Sequence, residues 1–584
     1  MTETRPPTPR RIHDLLAIAA PPEALAASGP GERLTYGELR LEIDRYARGL
    51  LALGVEHGDR VAMLTAPGVD FWRLLHATAS IGAIWVGINP RYQSRDFEHL
   101  LSDARPAVII APPPFDGRDY IAELAPLSPP GARMVGLGET PTAVMDRAAL
   151  LAAGEAVSDA TLAAARAAVD PEDPAVIVYT SGTTGKPKGA LLSHRAITTS
   201  AIANAAWMGA ASLARAICAA PVNHVGAINN ICMNVMAAGG AVIFYPEVDI
   251  PALAALSREV KPTYLVSSPT GFAMMLSQPD GMAGRMASTR LIVFGGAMTA
   301  LSTLEQIAPF GAGLSSVYGQ TETCGIITHT RPADPLEAHA ATIGRALAGA
   351  ELRIAGPDGT EVRQGETGEI QIRAPYVMSG YFNNPAATAE AFTADGFLRT
   401  GDLGLVRDDG HVVFVGRLKE MFKSGGYNVY PVEIEQAICE HPSVALAAVV
   451  AVPHDTFQEV GHAFVQPNPG GSVTPDELKA FLRARIANYK VPKTFEIEAE
   501  LPRLPNNKLD KVALQARALR EVARAVRARS HVTRTVRKSL FGRSSTAPKS
   551  AARRSMARFS AMTWPSTQPR RRATAQSSIS RIRR

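Results

Sequence analysis

The sequence predicts an α/β protein: a large N-terminal domain of layered, mixed and largely parallel sheets with helices, a β-rich subdomain within it, and a small α+β C-terminal domain. Three observations carry this. Between about 170 and 320, short apolar runs alternate with helix-length amphipathic segments, the pattern of strands joined by crossover helices. From about 345 to 415 the pattern changes to short strands broken by Gly/Asp turns (GPDGTEVRQGETGEIQIR, RDDGHVVFVG). From 420 to 515 helices and strands mix again. At 584 residues the chain is too long for one core.

In chain order, a helix is expected from Thr35–Glu38 through Ala47–Leu53, followed by a strand at Arg60–Met63. The central strands are expected at Ala175–Tyr179, Ala216–Ala220, Ala241–Tyr245, Tyr264–Ser267, Leu291–Phe294 and Ser315–Tyr318. Helices fall between them at 194–207, 250–259 and 300–307. The last unit should hold a helix at Pro431–Glu440, a strand at Ala445–Val452 and a helix at Pro475–Ala487. No solenoid-type repeat is visible.

The net charge of +7 is unevenly placed. From Arg517 onward there are 19 Lys and Arg and one acid, Glu521, whereas the rest holds 42 basic and 53 acidic residues. The body is therefore mildly acidic, and no specific nucleic-acid partner is expected of it. The tail, rich in Arg, Ser, Ala, Thr and Pro, is expected to be disordered. It reads either as a contact for an anionic surface or RNA, or as an extension without a role. Domain boundaries are placed at 1–416, 417–516 and 517–584. Four scattered cysteines without a C-x-x-C pair argue against a disulfide scaffold or zinc ribbon and fit a reducing cytosol. The first residues lack the order of a secretion signal, and no run of about 20 apolar residues exists. A soluble, cytoplasmic protein without a transmembrane segment is expected, as a monomer or homodimer.

The strand at Val176–Tyr179 leads into Thr180-Ser181-Gly182-Thr183-Thr184-Gly185-Lys186-Pro187-Lys188-Gly189. Three glycines let the backbone turn sharply and aim N–H groups at one concavity, while four hydroxyls and two ammonium groups add donors and charge. Such a loop suits a polyphosphate; the alternative is a mobile linker. It is not a Walker A loop, because Pro187 stands where that motif needs Ser or Thr.

YTSGTTGKPKGA resembles the signature of the adenylate-forming (AMP-binding) superfamily, which includes acyl-CoA synthetases, firefly-type luciferases and the adenylation domains of peptide synthetases. The resemblance continues in order through LTYGEL (35–40), GGAMT (295–299), YGQTE (318–322), GETGEI (365–370), TGDLG (400–404), GRLKEMFKSGGYNVYPVEIE (416–435) and LPNNKLDK (504–511). It covers the chain from about 33 to 512.

This resemblance implies roles residue by residue. Thr180 to Lys186 and Lys188 would hold the phosphates of ATP. Gly296, Ala297 and Met298 would line the adenine, with Met298 where the family usually has Pro. In the YGQTE motif, Tyr318 would pack on adenine, Gly319 and Gln320 would border the nucleotide, Thr321 would meet the phosphate and Glu322 would hold Mg²⁺. From the residues alone this segment also reads as a strand-end turn. Asp402 and Arg417 would bind ribose, although a carboxylate between two glycines also suits a plain turn. Lys419 matches the hinge about which the small domain swings, or is a solvated lysine. Lys423, Ser424, Gly425 and Gly426 would line the path of CoA. The family more often has Glu at Tyr427, which leaves the acceptor open. Lys508 would reach the carboxylate and the α-phosphate, preceded by Asn507 in place of the usual Gly. His224 would sit at the mouth of the acyl pocket or serve as a structural histidine, with Asn223 replacing an aromatic neighbour.

The function implied is an ATP-dependent carboxylic acid–CoA ligase: acyl-adenylate plus pyrophosphate, then acyl-CoA plus AMP. Segment 223–236 is rich in small and neutral residues and holds no carboxylate for an α-amine, so a fatty or aromatic acid is expected. The alternatives are an enzyme that loads a carrier protein, and a catalytically dead nucleotide- or nucleic-acid-binding protein.

Overall fold

The computed structural model describes residues 9–138, 144–180, 187–504 and 508–524. The chain divides at Val522 into two units, and the first carries the sheets. An eight-stranded sheet is built around Pro174–Thr180, Ile84–Ile88, Arg60–Leu64 and Val108–Ala111, which are parallel neighbours in that order. All five residues of Ile84–Ile88 are buried, as expected of a strand covered on both faces. Lys188–Ser193 returns antiparallel beside Pro174–Thr180, and the two-residue strand Gly380–Tyr381 pairs with it at the edge.

A nine-stranded sheet contains the strands expected from the alternation except the first, Ala175–Tyr179, which lies in the eight-stranded sheet. Arg215–Cys218, Tyr264–Ser267, Leu291–Gly295 and Gly313–Gln320 run parallel side by side. Gly325–His329 closes back antiparallel on Gly313–Gln320 through a tight turn. The sequence spacing places this lobe between 170 and 320, but the sheet also takes in Leu25–Gly29, which pairs parallel with Ala241–Phe244. That pairing spans more than 200 residues, so no local pattern announces it. A four-stranded antiparallel sheet, Glu351–Ala355, Gly368–Arg373, Leu398–Val406 and Val412–Arg417, forms the β-rich part.

Beyond Arg417 a smaller sheet pairs Val444–His454 with Gln458–Pro467 and carries the hairpin Phe422–Ser424/Tyr427–Val429. The helix expected over Pro475–Ala487 ends at Arg483, where the N–H groups of Arg485 and Ile486 both turn back to the Leu482 carbonyl. Helical backbone resumes from 511 and continues past Arg517, burying Leu514 and Ala518 against Val450 and Phe464. Arg517 pairs with Glu496 and Glu498, so the first residue assigned to the basic tail belongs to the packing of the small sheet. Residues 525–584, and with them most of the tail, lie outside the described residues. Among the described residues no single helix is long and apolar enough to cross a membrane.

Helix starts follow local chemistry. Thr35 and Glu38 form a reciprocal capping box at the head of Tyr36–Ala52, and Ser193 caps His194–Met208. Tyr36–Ala52 crosses Arg147–Gly154 at backbone contact. A Cβ on Gly49 would come 2.8 Å from the Leu150 carbonyl oxygen, and one on Gly154 would come 2.7 Å from the Gly49 nitrogen. Gly49→Val should therefore overpack this crossing and lower unfolding stability by about 1–3 kcal/mol. Urea denaturation checks this, and a midpoint equal to wild type would show that the two helices can separate freely.

Candidate active site

The carboxyl ends of the parallel strands Leu291–Gly295 and Gly313–Gln320 open side by side, where an α/β sheet offers its ligand crevice. Gly295 is paired with Val317, and Gly296 and Ala297 follow exposed at the rim, with Gly296 at φ +83°. Met298 packs back onto the core.

The next strand turns through a short 3₁₀ helix, Thr321–Thr323, and reverses at Cys324 and Gly325. The Tyr318 hydroxyl donates to Asp402 Oδ2 at 2.8 Å, and the Gln320 amide nitrogen lies 3.4 Å from the Tyr318 hydroxyl. Asp402 is 5% exposed and stands opposite Arg417 across two antiparallel strands, with Arg417 Nε 3.5 Å from Oδ1. Burial raises the pKa of Asp402, opposed by Arg417 and the Tyr318 hydroxyl. The Tyr318 hydroxyl thus compensates a buried carboxylate.

Glu322 is also buried, and its Oε1 accepts a 2.8 Å hydrogen bond from the Tyr381 hydroxyl. Burial and the adjacent Glu322 push the Tyr381 phenol upward, so it remains a donor. Lys188 Nζ lies 5.0 Å from the centre of the Tyr381 ring, which brings the end of the glycine-rich loop beside the YGQTE turn. Thr180 and Lys188 are partners in the strand pair that flanks that loop. Ser181, Gly182, Thr183, Thr184, Gly185 and Lys186 lie outside the described residues, as does Asn507.

Lys508 reaches this cluster from the small domain. Desolvation, and then the Arg417 guanidinium, lower its pKa, while Asp402 and Glu322 act to raise it. The His224 imidazole is held near pKa 4 by burial and then by Lys508. The ribose-side candidates Asp402 and Arg417, the metal candidate Glu322 and the acid-side candidate His224 therefore converge on one lysine. At neutral pH His224 is uncharged and can offer one ring N–H.

Past Arg417 the chain makes a turn in which the N–H groups of Glu420 and Met421 both bond the Arg417 carbonyl. Leu418 N–H bonds the Gly401 carbonyl of the antiparallel sheet. Glu420 is held on the other side by Lys511 Nζ at 2.7 Å, and that ammonium also pairs with Glu435 at 2.9 Å. Exposed Lys419 sits between these two attachments. The turn Gly425–Gly426 has φ +58° and +88°, a conformation that favours glycine. Lys423, Gly425 and Gly426 are exposed, but Ser424 is 2% exposed and faces inward, because alternate residues of a strand face opposite ways.

Sequence reasoning missed several neighbours of these sites. Tyr381 arrives on a two-residue strand 59 positions from Glu322. Around Gly425, exposed Tyr427 stacks on Tyr489 at 4.6 Å, and Lys493 lies 5.3 Å from the ring of Phe457, whose carbonyl accepts the Gly425 N–H. Exposed aromatics beside lysines are the signal that could have found this face.

The AMP-binding enzyme family matches residues 16–382, and the AMP-binding enzyme C-terminal domain matches 433–508. The indoleacetate–CoA ligase of Aromatoleum aromaticum is 34% identical over 84% of this chain and 94% of its own length. A feruloyl-CoA synthase of an Amycolatopsis species is 34% identical over 85% of this chain and 96% of its own. ATP-bound MatB from Rhodopseudomonas palustris superposes with a TM-score of 0.76 at 29% identity, covering 86% of this chain and 98% of that one. The amide bond synthetase McbA from Marinactinospora thermotolerans does so with a TM-score of 0.77 at 27% identity, over 87% and 99%. With the two family models matched in order along it and with relatives 34% identical over more than four fifths of its length, the chain belongs to the AMP-binding enzyme family.

Proposed function

We propose that the protein is an AMP-forming acid–CoA ligase acting on an aromatic or other apolar carboxylic acid. The observation that carries this reading is the convergence of Lys508 with Asp402, Arg417, Glu322 and His224. In the first half-reaction a carboxylate oxygen attacks the α-phosphorus of ATP and pyrophosphate leaves. Lys508 places a cation where negative charge builds on the phosphorus, an effect on the order of 10²–10³ in rate. Asp402, already held by Tyr318, has acceptor capacity left for ribose hydroxyls, and Arg417 steadies it. Neutral His224 orients the acid without competing for its charge.

Glu322 suits Mg²⁺: a hard carboxylate oxygen donor, buried and oriented by Tyr381, that leaves the metal room for phosphate oxygens and water. When bound, the metal neutralises polyphosphate charge. In the second half-reaction the small domain turns about Lys419 and Lys508 withdraws. The CoA thiolate then attacks the acyl carbon and AMP leaves. Lys423, Gly425 and Gly426 border its path, and the Tyr427/Tyr489 and Phe457/Lys493 face offers stacking and cations to its nucleotide end.

Val225 and, in the helix that follows it, Ala227, Ile228 and Ile231 are buried, with no carboxylate among the residues of that helix, which supports an apolar acid over an amino acid. The aromatic acids in the names of two relatives support the same class. Pyrophosphate release over a panel of aromatic and aliphatic acids, with and without CoA, tests the reading. Thioester is the expected product; adenylate that reacts only with an amine or a carrier protein would reassign the acceptor.

Lys508→Ala should cut acyl-adenylate formation by about 10² or more, while pre-made acyl-adenylate and CoA still give thioester at near the wild-type rate. Equal slowing of both half-reactions would sink the two-position scheme. Because the Lys508 pKa is lowered, loss of its proton should pull down adenylation kcat/KM at a pH below that of an ordinary lysine. That alkaline limb should move upward in Lys508→Arg, and a limb left in place there would assign it to another group. Tyr381→Phe removes one hydrogen bond to a carboxylate and should weaken use of Mg·ATP about tenfold without changing the KM for the acid. A shift in the acid KM alone would place Tyr381 in the acyl site instead.

A further inference from the structure

The turn that carries Thr321 and Glu322 is strained. Cys324 follows the 3₁₀ helix at φ +54°, a left-handed conformation that is costly for a non-glycine residue and persists only where the surroundings enforce it. Gly325, at φ +97°, completes the reversal, and a Cβ there would lie 2.0 Å from Asn230 Oδ1. The reversal is held locally by the Thr323 hydroxyl, which donates to the Gly325 carbonyl at 2.7 Å, and from outside by two consecutive asparagines on another element. Asn229 Nδ2 donates to the Cys324 carbonyl at 2.6 Å and to Ser200 Oγ at 3.0 Å. Asn230 Oδ1 accepts from the Ile326 N–H at 3.2 Å.

The amide orientations are fixed by chemistry. A backbone carbonyl can only accept and a backbone N–H can only donate, so nitrogen faces Cys324 and oxygen faces Ile326. Both asparagines lie in the π-helix Gly226–Met233, which begins two residues after His224. Its wider turn lets neighbouring residues grip both sides of one reversal, and helix irregularities of this kind concentrate at functional sites. Asn230 is held in turn: its carbonyl accepts from the Tyr264 hydroxyl at 3.1 Å and from Asn234 Nδ2 at 3.2 Å. Asn229 is 1% exposed and tied through Ser200 to the helix His194–Met208.

We propose that Asn229 and Asn230 are positioning residues for metal–nucleotide binding. They clamp the Cys324–Ile326 reversal so that Glu322, two residues before Cys324, is presented to the metal. This rests on the reading of Glu322 as the metal carboxylate and needs nothing of the acid or the acceptor.

The test is Mn²⁺·ATP binding, followed by the electron paramagnetic resonance of the metal, with the full chain and no acid or CoA present. The two sites demand opposite chemistry. Asn229→Asp keeps shape but loses the donor to Cys324, and should weaken Mn²⁺·ATP about tenfold. Asn230→Ala should weaken it to a similar degree, and Asn230→Asp, which keeps the acceptor for Ile326, should recover most of the loss. In turnover, the Mg²⁺ requirement for pyrophosphate release should rise in Asn229→Asp, with thioester formation from pre-made adenylate spared. The proposal is overturned if Asn229→Asp binds Mn²⁺·ATP like wild type. Equal weakening by Asn230→Asp and Asn230→Ala, or a fall in melting temperature with unchanged metal–nucleotide affinity, also overturns it. Failure of the ligase reading would show instead as a wild-type protein that binds Mn²⁺·ATP and makes no thioester with any acid.

Discussion

A carboxylate removed from water must be compensated or it protonates, and Asp402 is the point at which this fold meets that constraint. Its compensating groups come from different layers. Tyr318 belongs to the end of a parallel strand in the nine-stranded sheet, and Arg417 to the last strand of the antiparallel sheet. Satisfying one buried charge therefore registers the two sheets against each other at the crevice. It also fixes the place from which the chain departs for the small domain, since Arg417 is the residue from which that departure begins. Lys508 then enters a field already shaped by this carboxylate and by Glu322.

Much of this was legible in the sequence, for a physical reason. The central strands are apolar on both faces and separated by helices of regular length, so Tyr264–Ser267 is found where the pattern places it and Leu291–Gly295 within one residue. Asp402, Arg417, Glu322 and Lys508 were legible as motif residues, and they meet in space. What the sequence concealed is what arrives from far away. Leu25–Gly29, with its hairpin partner Glu32–Thr35, joins the sheet beside Ala241–Phe244, more than 200 residues on, and Tyr381 reaches Glu322 from a strand too short to leave a period. The inward side chain of Ser424 was hidden by its glycine neighbours, which advertise an exposed turn and say nothing of the residue before it. The π-helix reads in sequence only as a small-residue segment, because i→i+5 bonding has no compositional sign of its own.

In the proposed reaction the two domains also divide the chemistry of recognition. The large domain supplies buried, oriented groups, among them Asp402, Glu322 and neutral His224. The small domain supplies a single lysine on one side and, at Gly425, an exposed turn beside aromatic rings on another. Rigid dipoles suit a charge that develops at a fixed phosphorus, whereas stacking platforms suit a long ligand that must arrive and leave.

The attachments on either side of Lys419 set the character of the proposed swing. Leu418 is bonded to the antiparallel sheet and Glu420 is gripped by Lys511, so little backbone between them is at liberty, and each residue has two soft dihedrals. On that proposal the small domain would travel as a door on a pin rather than as a weight on a string. Its route between the two positions is close to a one-dimensional path, which shortens the diffusive search for the second docking and limits the time an adenylate stands open to water. The bonds nearest the pivot of that proposed swing are the two that Glu420 and Met421 make to the Arg417 carbonyl. Loosening the Lys511 grip would lengthen the string and leave the door without its frame.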